Sequence, residues 1–357
     1  MRPRIVANMH AVLDWAPLPI ASARIALFRG GHSHQLSGVE LAIRRLFGPA
    51  ARVETFACTG LVTMDRVMNF VPRFIACTPE IIIAAGGGTV LDTAKAVMLR
   101  ACIEPTERPW HIAIPTTCGH GSESTPFATV YDCGRKTSLE APWLVPHVAV
   151  LDPALLAALP PAEWRTGSAD TFCQSIESLW ARGATPDSTA SALAALDLLL
   201  AHWPAANPQV SQQAATALQF AAHLSGRAIA ASRTTACHAL SYAMSWEFGI
   251  PHGIAVSLTL PQVARVNAGA AAAETAPWLN ALADRLACKG DPEALADALE
   301  AKLIAGGVPR QISNLGIAPA IFRERMRAND PNQERLANNP VALDAAAIEQ
   351  ILAAISK

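Results

Sequence analysis

The sequence predicts two domains in series, an α/β domain built on a parallel sheet and then an all-α domain, and three observations carry that expectation. The chain has 357 residues, of which 51% are hydrophobic and only 16% charged, enough apolar material for two cores. Up to about residue 150, short β-like apolar runs alternate with amphipathic stretches, the pattern of strands joined by crossover helices. Beyond Leu155, Ala/Leu-rich helical periodicity dominates and strand signals nearly vanish. The boundary is therefore set between 154 and 155, giving domains 1–154 and 155–357.

Taken in order, Arg24-Ile25-Ala26-Leu27-Phe28 is a short buried strand that runs into Gly30-Gly31. Glu80 to Ala85 is a stronger strand, followed by Gly86-Gly87-Gly88 and a helix from Thr89 through Leu99. His111 to Ile114 is a third strand; it stops at Pro115 and opens into the polar, glycine-rich stretch Thr116 to Glu123. Val148 to Pro153 reads as the last strand and the domain boundary. In the second domain Ser168 reads as an N-cap, which places Asp170 in the first turn of a helix continuing through Gln174 and Glu177. His238 and Tyr242 share a helical face at i, i+4, and His252 follows past a break at Gly249 and Pro251.

A formal charge of −1 supplies no excess positive field for a nucleic-acid backbone or an anionic membrane, so the partners read as small molecules or other subunits. The eight cysteines stand singly, with no C-x-x-C pair and no secretory signal pattern, and read as reduced thiols of a cytoplasmic protein. No apolar run approaches the length that crosses a bilayer.

Two groups of residues carry chemistry. Gly86-Gly87-Gly88-Thr89 lies between strand and helix, where residues without Cβ let backbone N–H groups approach phosphate oxygens at the positive helix end. A tight βα turn explains the glycines equally well; Asp92 and Lys95 on the same helix favour the nucleotide, Lys95 by reaching toward a ribose or phosphate. Asp170, His238 and His252 form the second group. An acid complementing a helix dipole and two hydrogen-bonded histidines would be the bland account, but one carboxylate and two imidazoles with vacant positions suit Fe(II), and also Zn(II) with water or substrate completing the shell.

The run Gly86 to Lys95, the stretch Pro115-Thr116-Thr117-Cys118-Gly119-His120-Gly121-Ser122-Glu123, the Asp170 helix, His238 to Gly253, and Asn338-Asn339-Pro340 resemble, in that order and over nearly the whole chain, the iron-containing (group III) alcohol dehydrogenases. The resemblance implies a Rossmann-like NAD(P) domain followed by a helical metal domain, the architecture shared with dehydroquinate synthase. It also implies that Gly86, Gly87, Gly88, Thr89, Asp92, Thr116, Thr117 and Ser122 contact the cofactor, with Lys95 near them. Two positions depart from the family pattern: Gln174 stands where a fourth ligand histidine is usual, and Tyr242 where a histidine often serves proton exchange. Gln174 is thus carried as a weak neutral ligand and Tyr242 as a proton relay.

Within the family, Thr125 to Asp132, Lys136 to Leu139, Glu177 to Trp180 and Thr234 to Tyr242 look most like phosphonoacetaldehyde reductases. A dianionic substrate demands a fixed cation, for which Arg233 is the first candidate and Lys136 the second, a salt bridge being the competing account of Arg233. Arg29-Gly30-Gly31-His32-Ser33, at the end of the first strand, offers no acid to bind a ribose 2′-OH, which favours NADPH over NADH. The expectation is a metal-dependent NAD(P)H aldehyde reductase acting as a homodimer, with phosphonoacetaldehyde as the candidate substrate, against a reductase of an uncharged aldehyde or other carbonyl, a non-redox lyase on the same scaffold, or a metal-free or catalytically silent member.

Overall fold

Ile81 to Ala85 are buried without exception, and in a strand such a run requires cover on both faces. In the computed structural model, which describes residues 2–13, 23–31, 39–101, 108–203, 210–270 and 276–357, it is β4 (Ile81–Gly86) of a six-stranded parallel sheet. The other strands are β1 (Arg4–Val6), β2 (Arg24–Arg29), β3 (Arg52–Ala57), β5 (Trp110–Pro115) and β8 (Val148–Val150), in the order β1-β8-β5-β4-β2-β3. Alternate residues feed two cores. Ala26, Phe28, Phe56, Ile82, Ala84 and Ala113 pack on one face, and Ile25, Leu27, Ile81, Ile83, Ile112 and Ile114 on the other. The three strands expected around residues 24, 80 and 111 are present, each slightly longer than its apolar run.

From β2 the chain moves outward to β3 and then returns to the far side of β2 as β4, so the strand order reverses between β2 and β4. In open α/β sheets, ligands bind beyond the carboxyl ends of the strands at such a reversal. Those ends are Arg29-Gly30 and Gly86-Gly87; His32 and Ser33 lie outside the described residues. An antiparallel hairpin, β6 (Phe127–Asp132) with β7 (Arg135–Glu140), follows the loop after β5 and carries Lys136.

Contacts divide the chain into 1–160 with 211–226, and 161–210 with 227–357. This differs from the expected boundary at 154/155 in two respects. The 3-10 turn Pro153–Leu156 belongs to the first unit, and the helical change begins at Pro161. Residues 211–226, early in the long helix Gln212–Ser232, belong with the sheet because Gly226 meets Gly121 so closely that a Cβ on Gly121 would lie 2.5 Å from its Cα. Nearby, buried His223 pairs through Nδ1 with Glu123 at 3.3 Å, and Gln219 donates to the Pro115 carbonyl.

Among the described residues, the second unit contains no strand. Its helices include Pro161–Trp180, Pro186–Ala201, Ala236–Phe248, His252–Ala270 and Pro292–Ala305. The Asp170 helix starts at Pro161 rather than after Ser168, so Asp170 lies mid-helix and Ser168 is no N-cap. Proline at the first helical position supplies the start signal, and Thr166-Gly167-Ser168 continues the helix as its second turn. No described helix is long and apolar enough to cross a membrane, and the seven described cysteines are unbridged.

Candidate metal centre and nucleotide loop

Three helices meet at the second unit's site. Asp170 comes from the middle of Pro161–Trp180, His238 from the first turn of Ala236–Phe248, and His252 opens His252–Ala270. Gly249, left-handed with φ 65°, ends the second helix and lets the chain turn into the third. The third can approach the first because residue 253 is glycine: a Cβ there would stand 2.0 Å from the Thr166 carbonyl oxygen and 3.0 Å from the Asp170 Cβ. As a result one ligand atom from each of Asp170, His238 and His252 lies within 4.8 Å of the others, with His238 Nε2 3.5 Å from Asp170 Oδ1.

Glu177, two turns beyond Asp170 on the same helix, organises this group. Its Oε1 accepts from Thr235 N, Cys237 N and His238 N at 3.1, 2.9 and 3.3 Å, and from Thr235 Oγ1 at 2.8 Å. It thereby caps the helix that carries His238, whose own N-cap Thr235 makes no side-chain cap. Its Oε2 pairs with His238 Nδ1. Burial would raise this carboxyl's pKa, but His238 and the surrounding donors hold it below the usual range. Burial would likewise strip His238 of its proton, yet Glu177 and Asp170 raise its pKa. The field at Nε2 thus favours positive charge, and with Nδ1 engaged by Glu177 it is Nε2 that faces Asp170. A carboxylate–imidazole pair behind a ligand nitrogen is the arrangement that fixes tautomer and ring orientation at metal sites. These residues fit a divalent cation. Gln174 is buried one turn after Asp170, and Tyr242 lies with its ring centroid 6.4 Å from that of His252. Burial raises the Tyr242 pKa against the lowering effect of Arg335, so the phenol stays protonated.

Arg233 has φ 65°, a left-handed conformation rare for a side chain with Cβ, in the turn between Gln212–Ser232 and Ala236–Phe248. Glu177 was the residue sequence reasoning passed over; its signal was a carboxylate seven residues after Asp170, on the same helical stripe.

In the first unit, β4 and β5 end side by side, so Gly86 to Thr89 and Thr116-Thr117 come together. The glycines have tight neighbours within the protein: a Cβ on Gly86 would strike the Val90 side chain at 2.3 Å, one on Gly87 would meet Thr117 at 3.1 Å, and one on Gly88 would meet the His120 ring at 3.1 Å. Behind this loop Asp92, Lys95 and Ser122 bind one another's surroundings. Ser122 Oγ donates to Asp92 at 2.5 Å, and Thr129 N donates to its other oxygen at 2.9 Å. The Lys95 ammonium is fully buried and donates to oxygens of Ser122, Thr125 and Phe127. Burial lowers its pKa to about 8 against the pull of Asp92 and Glu123. Lys95 therefore anchors the loop after β5 instead of reaching toward a ribose or phosphate, because five protein oxygens already surround its charge.

Comparison with known proteins places these features in one context. The family model "Iron-containing alcohol dehydrogenase" matches residues 19–153, and "Fe-containing alcohol dehydrogenase family, C-terminal" matches residues 165–356. The phosphonoacetaldehyde reductase of Streptomyces viridochromogenes is 33% identical over 329 residues, 82% of this chain and 80% of that protein. Among solved structures, the sulfoacetaldehyde reductase of Bifidobacterium kashiwanohense in complex with NAD+ superposes with TM-score 0.84 at 22% identity, covering 100% of this chain and 98% of that one. An archaeal alcohol dehydrogenase from a Red Sea brine pool gives 0.86 at 19% identity, covering 99% and 97%. The structures share the fold, and the family models span most of the sequence: the chain belongs to the iron-containing alcohol dehydrogenase family, as an oxidoreductase acting on CH–OH groups.

Proposed function

We propose that this enzyme works as an aldehyde reductase, with NADPH or NADH as hydride donor, and that its substrate is phosphonoacetaldehyde, reduced to 2-hydroxyethylphosphonate. The observation that carries the reading is the convergence of Asp170, His238 and His252 within 4.8 Å, backed by Glu177. The substrate class is supported by the 33% identical phosphonoacetaldehyde reductase, matched over most of both chains.

Asp170, His238 and His252 would hold the metal, Fe(II) or Zn(II), with Gln174 as a neutral fourth donor. A divalent cation there supplies Lewis acidity toward a carbonyl oxygen, and the nicotinamide supplies the hydride. Glu177 keeps His238 in the tautomer with Nε2 available. Tyr242, protonated beside His252, acts as a hydrogen-bond donor toward developing alkoxide charge. Arg233 offers the fixed cation that a phosphonate requires. Gly86 to Thr89 and Thr116-Thr117, at the strand-order reversal, form the nucleotide cradle, with Asp92, Lys95 and Ser122 bracing it from behind.

The test is nicotinamide oxidation by the protein reconstituted with Fe(II) or Zn(II), comparing phosphonoacetaldehyde with uncharged aldehydes of similar size. Turnover confined to the phosphonate, and abolished by chelation, is the expected result. Preference for uncharged aldehydes would discard the phosphonate reading, and metal-independent turnover would discard the role of the triad.

A further inference from the structure

The family match leaves the tail motif Asn338-Asn339-Pro340 without a function, and its hydrogen bonds lead back to the metal helices. One side-chain amide, that of Asn338, spends both N–H bonds on the carbonyls flanking Arg233: Nδ2 donates to Ser232 O at 2.9 Å and to Thr234 O at 3.0 Å. Its Oδ1 accepts from Gly183 N at 3.0 Å, just past the C-terminus of the Asp170 helix, and its backbone carbonyl accepts from Arg182 N at 2.9 Å. Every polar atom of this side chain therefore bridges the end of Pro161–Trp180 to the turn that launches Ala236–Phe248.

The two segments are packed to backbone contact there. A Cβ on Gly183 would lie 2.8 Å from the Ser232 carbonyl oxygen. Asn338 is itself anchored. Asn339, fully buried, exchanges amide hydrogen bonds with Asn267 of the His252 helix at 2.8 and 3.2 Å and donates to Val341 O at 2.8 Å. Arg182 closes the outer side, donating to Asn339 O at 2.9 Å and Pro340 O at 3.2 Å.

We propose that Asn338, anchored by Asn339, is a positioning residue of the metal centre: it holds the left-handed turn at Arg233 against the Asp170 helix and so sets where His238 enters the site. Glu177, Ser178 and Trp180 tie the Asp170 helix to residues 232–238 through side chains of that helix itself. Asn338 adds a tie from a third segment, joining the backbone carbonyls on either side of the strained residue to the chain just past that helix. Strain at a left-handed non-glycine residue persists only where its surroundings over-determine it, and Asn338 supplies part of that constraint at Arg233, five residues before His238. Asn339 links the same joint to the helix of His252, so all three ligand-bearing helices share one clip.

This inference rests on the metal-site reading, and the test separates the two. Asn338→Asp keeps the shape but replaces the two donors with oxygen facing two carbonyls. Arg182→Gln, at an exposed position, loosens the clip from outside and covers the case in which the first variant fails to fold. Each apoprotein is titrated with Zn(II) against a competing chelator and with Co(II) alone, whose visible spectrum reports coordination geometry, alongside nucleotide affinity and thermal unfolding. The expected result is Zn(II) affinity about 10–100-fold weaker in Asn338→Asp, the range found when groups supporting ligands are removed, with an altered Co(II) spectrum and nucleotide affinity within about twofold of wild type by the same logic of separate sites. Arg182→Gln shifts in the same direction by less. Folded variants with wild-type Zn(II) affinity and Co(II) spectrum, whatever their unfolding temperature, would overturn the proposal and leave a purely structural clip. Wild-type protein that bound neither ion would instead remove the metal-site reading, and this inference with it.

Discussion

Arg233 couples backbone strain to a charged side chain, and the two roles separate by substitution. At φ 65° a residue with Cβ costs about 1 kcal/mol that glycine avoids. Arg233→Gly therefore removes the guanidinium while relaxing the turn, whereas Arg233→Ala removes it and keeps the strain. If the guanidinium holds a phosphonate, both variants raise KM for phosphonoacetaldehyde by roughly 10–100-fold, the worth of one charge-assisted hydrogen bond, with uncharged aldehydes unaffected and Arg233→Gly at least as heat-stable as wild type. Full activity on the phosphonate in Arg233→Gly alone would assign Arg233 a backbone role. At this scale the sequence was uneven. Asp170, His238 and His252 were singled out because each stands in a distinctive local context, and the fold brings the three together. The ends of Lys95 and Glu177 were not, since a charged residue on a helix reads as solvated until its partners, here Ser122 and Thr125 or Thr235 and Cys237, are known from the fold.

The metal centre depends on how closely two helices cross, and Gly253 is the contact. An alanine there would place its methyl 2.0 Å from the Thr166 carbonyl oxygen and against Asp170, with backbone on both sides unable to yield. Gly253→Ala is expected to destabilise the protein by about 1–3 kcal/mol, as overpacking does, and to lower bound metal well below one equivalent by pushing His252 from Asp170. Unfolding temperature and metal content of the purified variant check this; wild-type metal content would mean that the helices do not need this approach. Helices and buried strands were the legible elements, since β2, β4 and β5 each centre on a short run of buried apolar residues. The start of the Asp170 helix was misplaced because Thr166-Gly167-Ser168 imitates a cap, whereas the helix begins five residues earlier at Pro161. β3 carries mixed polarity at the sheet edge, and the β6–β7 hairpin turns at Cys133-Gly134 without an alternating pattern, so neither announced itself.

For the whole molecule, acid stability is governed in part by imidazoles that the fold keeps neutral. His111 on β5 is fully buried, and both its ring nitrogens lack partners among the described residues. Burial lowers its pKa well below 6.5, and Lys95, His147 and Arg108 push the same way. His147, half-buried, accepts the His111 N–H at Nδ1 and is drawn down to about 4 by burial and then Arg108. Both folded values lie below the unfolded one, so as pH falls from about 6.5 toward 4 the unfolded chain takes up protons that the native state refuses. Native stability then declines, with a slope bounded by about 1.4 kcal/mol per pH unit for each full proton. Solvent reaching the half-exposed His147 ring narrows its window without changing the sign. Glu123 and Glu177, held below the ordinary 4.5, lose their contribution only at lower pH. His238, raised above 6.5, works oppositely in the metal-free protein, its contribution fading as pH rises through its folded value. A difference measurement removes these shared contributions. His147→Asn keeps an acceptor for the His111 N–H but cannot titrate, so wild-type minus variant unfolding free energy, from denaturant curves at fixed ionic strength, should be level above pH 6.5 and fall between about 6.5 and 4. A level difference across that range would show that His147 is free to take its proton in the folded enzyme, and that the β5–β8 pair imposes no demand for neutrality.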